Sequence, residues 1–175
     1  MPPQRPMDIT VKTKRCRSPL SSTDIRHAAR LMLKAAGVRR AELSIVLLSG
    51  REIRTLNRKY LGHDRVTDVI SFNLSGTRDE GRRTIDERFP RSSSIVLSSF
   101  RPSSSRPACI DGEICICPAE ARRNARAYGE PLKRELLRYL AHGILHLLGW
   151  DDATAEQRRK MRVREDELLA EANIQ

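Results

Sequence analysis

The chain has 175 residues, of which 39% are hydrophobic and 31% charged, and its formal net charge is +11. This length suits one domain with a real core, and no apolar run approaches the roughly 20 residues that a membrane-spanning helix needs. We therefore expect a single globular domain over 1–175, with no membrane partner.

The strong positive charge favours polyanionic partners. Aromatic residues make up only 4% of the chain, so RNA or DNA would be bound mainly through arginine and not by base stacking. A basic surface that binds no polyanion is the alternative. The first 20 residues contain no apolar segment of the kind that defines a secretory signal, which predicts a cytoplasmic protein. The sequence does not indicate the oligomeric state.

Hydrophobic periodicity and capping residues predict alternating strands and helices over the first 74 residues. In chain order these are a strand over 8–12, a helix from 22 to Gly37, a strand over 43–48, a helix introduced by the capping box of Ser49 and Glu52, and a strand over 69–74.

Segment 75–108 interrupts this pattern, because it is rich in arginine and serine and poor in residues that form a core. We predict a surface insertion that is mobile or disordered, with room for one short strand at 95–97.

The pattern resumes after the insertion with one strand and three helices. We predict a strand over 113–117, a helix from Pro118 to Gly129, a helix from Pro131 to Leu148 and an exposed, charge-balanced helix over 154–172. The helix over 131–148 is apolar nearly all round and is therefore predicted to be central and buried. The whole pattern predicts an α/β (or α+β) fold with a sheet of about four strands and about five helices.

The central helix carries the chemistry, since His142 and His146 are four residues apart. Residues at this spacing share one helical face, so both imidazoles can reach one ion. Gly149 allows the chain to turn and return Asp152 as a third ligand, which leaves a position open for water. We predict that these three residues bind one zinc ion or another divalent transition metal, and that His142 and His146 are catalytic through it. Two hydrogen-bonded core histidines are the alternative.

The spacing of these ligands follows the outline of HExxHxxGxxH metallopeptidases, but Gly143 replaces the glutamate that acts there as general base. A bound ion can also activate water and polarise a phosphoryl oxygen. Together with the basic charge, this favours hydrolysis of phosphodiesters over hydrolysis of peptides.

The stretch HGILHLLGWDD at 142–152, with TDVISF at 67–72 and GEICICP at 112–118, resembles the YbeY family of bacterial endoribonucleases and ribosomal RNA maturation factors. The resemblance implies a small α/β fold, one zinc-like ion and cleavage of single-stranded RNA. It also implies maturation of the 3′ end of the small-subunit ribosomal RNA and ribosome quality control, with ribosomal RNA and the small ribosomal subunit as partners.

Two positions depart from that family's pattern. The third histidine of the family falls at Asp152, and its arginine linked to RNA cleavage falls at Leu61. Aspartate can replace histidine as a zinc ligand, whereas leucine cannot replace a guanidinium that contacts phosphate. Arg58 and Arg65 are the predicted RNA-binding residues.

Further roles stay open at the sequence level. His63 could also replace the missing arginine, and Asp151 and Glu113 are candidates for the general base. A non-catalytic ribosome-assembly factor that keeps its metal is the alternative function, and a metallopeptidase is less favoured.

Overall fold

The structure is a computed structural model that describes residues 7–74 and 109–172. These residues form one four-stranded sheet and five helices, as the sequence predicts for an α/β fold. The elements in chain order are β1 (Met7–Thr13), α1 (Ser22–Ala35), β2 (Arg40–Leu47), α2 (Gly50–Leu61), β3 (Val69–Asn73), β4 (Cys109–Ile116), α3 (Pro118–Tyr128), α4 (Leu132–Leu147) and α5 (Ala155–Glu171). The predicted insertion at 75–108, with its possible strand at 95–97, lies outside the described residues.

The helix boundaries follow the local signals in the sequence. Ser49 accepts a hydrogen bond from the backbone of Glu52, whose side chain bonds back to the backbone of Ser49, so the predicted capping box is confirmed. Pro118 occupies the first turn of α3, and Gly129 ends that helix with a left-handed backbone (φ 68°) that glycine adopts without strain.

The strands are ordered β1-β2-β4-β3. The first three are parallel, and β3 is antiparallel to β4, with Val69 opposite Ile116. The end of β4 and the start of β3 therefore lie at the same edge of the sheet. The N–H of Cys117 donates to the carbonyl of Asp68 there, at 2.8 Å, which fixes the loop that precedes β3 against the start of α3.

The two faces of the sheet are covered by different helices. Cys115 of β4 packs in a cluster with Ile53 and Leu56 of α2. Its neighbour Ile114 points to the opposite face and packs with Ile144 of α4, because successive side chains of a strand alternate between faces. The face that holds α4 carries the larger core.

The predicted central helix is confirmed, since eleven of the sixteen residues of α4 are buried. It approaches the sheet at Gly143, where a Cβ atom would lie 2.7 Å from Cγ2 of Ile114 and 3.0 Å from Oγ of Ser71. Glycine is therefore needed here for close contact between helix and sheet. None of the helices in the described ranges is long and apolar enough to cross a bilayer.

The last helix is exposed over most of its residues, as expected, but the expectation misses one buried face. Helix α5 buries Met161, Glu165, Leu168 and Leu169, and its three apolar members join the core cluster of α1 and α4. The periodicity was hidden because the stripe contains a glutamate where an apolar residue would be expected. That glutamate lies against His142, one of the three residues predicted to bind metal.

Candidate metal centre

Helix α4 brings its two histidines together as their spacing predicts. The Nε2 atoms of His142 and His146 are 2.9 Å apart, and the rings meet edge to face with centroids separated by 4.5 Å. The helix alone sets this pairing, because both residues lie on one face a single turn apart.

The chain turns sharply after α4 and returns Asp152 to the histidines. Gly149 adopts a left-handed backbone with φ 87°, and Asp152 Oδ2 then lies 3.8 Å from Nε2 of His142. One donor atom from each of His142, His146 and Asp152 lies within 4.8 Å of the other two. A tetrahedral ion with bonds of about 2.0–2.1 Å holds its donors roughly 3.4 Å apart, so small side-chain movements suffice to form a three-ligand site.

Each histidine is oriented by a hydrogen bond at its other ring nitrogen. His142 Nδ1 lies 2.8 Å from Oε1 of Glu165, and His146 Nδ1 lies 3.1 Å from the carbonyl oxygen of Trp150. Since a carboxylate and a carbonyl only accept, both rings donate from Nδ1 and, when neutral, present a lone pair at Nε2. Two lone pairs 2.9 Å apart repel each other unless a proton or a metal ion lies between them. The donor set therefore fits a divalent metal ion.

The charges around the two rings differ. Burial lowers the pKa of His142, but the hydrogen bond and negative charge of Glu165, helped by Asp152 and Asp68, more than offset this effect and raise its pKa above the ordinary value. Burial and the neighbouring His142 lower the pKa of His146. The site is thus surrounded by carboxylates that favour a cation at the histidine pair.

A family model described as Endoribonuclease YbeY matches residues 8–173. The chain belongs to the YbeY endoribonuclease family. It is 31% identical to the Endoribonuclease YbeY of Salinibacter ruber over 97% of this chain and 94% of that protein. It is 33% identical to the Endoribonuclease YbeY of Geobacillus kaustophilus over 86% of this chain and 88% of that protein.

The solution structure of TM1509 from Thermotoga maritima has the same fold. It superposes with a TM-score of 0.55 over 94% of this chain and 89% of that protein, at 21% identity. The α/β fold expected from the sequence is thus confirmed by a solved structure as well as by the arrangement of the strands.

The positions that depart from the YbeY pattern lie in different surroundings. Asp152 takes its predicted place beside the histidines, whereas Leu61 packs against the apolar cluster under α2. Arg58 lies on the exposed side of α2, and Arg65 and His63 lie in the exposed loop before β3. Their contact with RNA stays a prediction.

The two candidate bases differ in their surroundings. Glu113 lies on the face of the sheet that α2 covers, together with Cys115, whose thiol donates to it at 3.6 Å, because side chains two apart on a strand share a face. His142 lies on the helix that covers the other face, and a role of Glu113 as base stays a prediction. The carboxylate of Asp151 accepts from the backbone N–H of Asp152 at 2.8 Å and so supports the turn that presents Asp152.

Sequence reasoning missed the charged group behind His142. Glu165 accepts from His142 through Oε1, and its Oε2 lies 3.3 Å from Nη1 of Arg138. Arg138 also donates to Asp166, at 2.8 Å. The one available signal is the spacing of Glu165 within the stripe of Met161 and Leu168, which places a carboxylate on the buried side of α5.

Proposed function

We propose that this protein is a metal-dependent endoribonuclease that cleaves single-stranded RNA. The observation that carries the proposal is the convergence of His142, His146 and Asp152 within a chain of the YbeY endoribonuclease family. The substrate that we propose is ribosomal RNA, with a role in maturation of the 3′ end of the small-subunit RNA and in ribosome quality control in the cytoplasm.

The metal that we propose is one zinc ion or another divalent transition metal. Two imidazoles and one carboxylate are ligands that zinc accepts, and three protein ligands are typical of its catalytic sites. When bound, such an ion polarises a phosphoryl oxygen and lowers the pKa of its water to about 7. The side chain of Asp152 is 42% exposed, so the site is reached from solvent. His142 and His146 are catalytic, in this proposal, by holding the ion.

The structure disfavours peptide hydrolysis by this site. In the HExxHxxGxxH arrangement the general base is a glutamate directly after the first histidine, and that position is Gly143. A Cβ atom there would overlap Ile114 of β4, so the position faces the sheet and leaves no room for a longer side chain. A phosphodiester substrate is better matched by the +11 charge of the chain.

RNA binding is proposed to involve Arg58 and Arg65. Both guanidinium groups are exposed, and a guanidinium pairs with phosphate through two parallel hydrogen bonds. The small ribosomal subunit is the proposed macromolecular partner.

A second function is favoured by one observation. Leu61, where the resemblance places an arginine linked to RNA cleavage, packs against an apolar cluster and supplies no charge. This favours a non-catalytic ribosome-assembly factor that retains the metal.

Cleavage of a labelled single-stranded RNA from the 3′ region of the small-subunit ribosomal RNA separates the two functions. We expect wild type to cleave it, a chelator to abolish cleavage, and added Zn²⁺ to restore it. His142→Ala should be inactive, whereas His27→Ala, at an exposed histidine of α1, should retain activity. Chelator-resistant cleavage would contradict the metal-dependent mechanism. Binding to small ribosomal subunits without cleavage would favour the assembly factor.

A further inference from the structure

We infer that Glu165 and Arg138 are positioning residues that set the metal affinity of this centre, Glu165 by holding the ring of His142 and Arg138 by holding Glu165. The inference rests on the metal site of the proposed function but not on RNA cleavage. It is carried by one continuous path of contacts from the buried guanidinium of α4, through the carboxylate of α5, to a predicted ligand.

The contacts leave each oxygen of Glu165 with a separate partner. Oε1 accepts from Nδ1 of His142 at 2.8 Å, and Oε2 faces Nη1 of Arg138 at 3.3 Å. Arg162 approaches the same Oε2 at 3.6 Å, but its side chain is 58% exposed. The buried anchor is therefore Arg138, which lies one turn before His142 on the same helix.

The ion pair between Arg138 of α4 and Glu165 of α5 is buried. The side chains of Arg138 and Glu165 are 6% and 7% exposed, and Nε of Arg138 is buried without a hydrogen-bond partner among residues 7–74 and 109–172. Removing two charges from water costs free energy that an apolar pair would not incur. A contact between α4 and α5 does not by itself require this pair, even though Arg138 also donates to Asp166 at 2.8 Å, whereas orientation of a carboxylate toward His142 does require it.

The orientation has a direct chemical consequence. A carboxylate at Nδ1 keeps the proton on that nitrogen, makes Nε2 the metal-binding nitrogen and increases its basicity. Without the charge of Arg138, the carboxylate of Glu165 would lose its buried anchor and could rotate toward solvent. The ring of His142 would then be free to turn or to change tautomer.

Metal affinity, measured with Co²⁺ by chelator competition, tests this chain of contacts. Glu165→Gln keeps the shape of the side chain and should weaken Co²⁺ binding about 10–100-fold, the usual effect of losing a partner behind a metal-binding histidine. Arg138→Met should weaken it about 10-fold. Arg134→Met is the matched control, since this more exposed arginine of α4 contacts Glu130 and Asp166 but not Glu165, and it should leave Co²⁺ affinity unchanged.

A double-mutant cycle distinguishes positioning from a merely structural role. If Arg138 acts through Glu165, the double variant should bind Co²⁺ no more weakly than Glu165→Gln alone, because the carboxylate that Arg138 orients is already absent from that single variant. The double variant also lacks the uncompensated buried charge, so it keeps the test valid if Arg138→Met does not fold. Nitrogen-15 NMR of the metal-free protein, at a pH where His142 is neutral, should show the Nδ1–H tautomer in wild type and a mixture of tautomers in Glu165→Gln.

The outcomes separate this inference from the proposed function. Additive losses in the cycle, or Co²⁺ affinity in Glu165→Gln equal to wild type, would overturn the inference even if RNA is cleaved. The expected pattern of Co²⁺ affinities in a protein that cleaves no RNA would support the inference and contradict the endoribonuclease. Absence of Co²⁺ binding by wild type would overturn both.

Discussion

Asp152 is the residue at which the metal centre can be tested most directly, because its side chain is half exposed and caps no helix. Its Oδ2 atom lies 3.8 Å from Nε2 of His142. The cap of α5 is Thr154, whose hydroxyl accepts from the N–H of Gln157 at 3.1 Å. At a pH where His142 is neutral, Asp152→Ala should therefore remove a metal ligand without removing a charge contact that stabilises the metal-free fold.

The expected magnitude follows from this separation of roles. Loss of a partner behind a ligand costs about 10–100-fold in metal affinity, so we expect loss of the ligand itself to cost at least about 100-fold. At saturating metal this corresponds to about 2.7 kcal/mol of metal-dependent stability. For a chain of this size, that is a loss of roughly 5–10 °C from the melting temperature of the metal-loaded protein. Without metal, wild type and Asp152→Ala should differ by less than about 0.5 kcal/mol.

Thermal unfolding with Zn²⁺ and with a chelator, together with elemental analysis of bound metal, measures both quantities. Asp152→His should retain metal, since imidazole is also a zinc ligand. Asp151→Ala tests the rival ligand: the carboxylate of Asp151 accepts from the backbone N–H of Asp152, so its loss should lower metal content less than the loss of Asp152. Full metal content in Asp152→Ala, with loss in Asp151→Ala, would refute the assignment of Asp152 as third ligand.

Three further predictions concern packing, titration and RNA binding. Gly143→Ala should lower the free energy of unfolding by about 1–3 kcal/mol in urea titrations, since its Cβ would lie 2.7 Å from Ile114; a more stable variant, as helix propensity alone favours, would disprove the close packing. Burial raises the pKa of Glu113 in the folded protein, so the free energy of unfolding decreases as pH rises through the folded-state pKa. At neutral pH, Glu113→Gln should then have a larger free energy of unfolding than wild type, and this difference should disappear in acid. A free energy of unfolding reduced equally at both pH values would contradict the direction of the pKa shift. RNA affinity should decrease steeply with salt, and Arg58→Ala and Arg65→Ala should each reduce the slope of log affinity against log salt by roughly 0.7. Slopes equal to that of wild type would show that these residues do not contact the phosphates of RNA.

The sequence by itself determined the features that depend on near neighbours in the chain. The capping box of Ser49 and Glu52 and the pairing of His142 with His146 involve residues three or four apart, so helical geometry alone brings them into contact. Asp152 was also within reach of prediction, because a glycine between it and the helix permits the return of the chain.

Only the tertiary structure decided which charged groups surround the histidines. Glu165 is 23 residues from His142 and reaches it from another helix, and its place in an otherwise apolar stripe made α5 look exposed. Glu113 carries a carboxylate, as Asp152 does, yet the register of β4 directs its side chain to the face of the sheet opposite α4. Contacts between distant segments depend on how helices and strands pack, and one residue of register reverses the face on which a strand side chain lies.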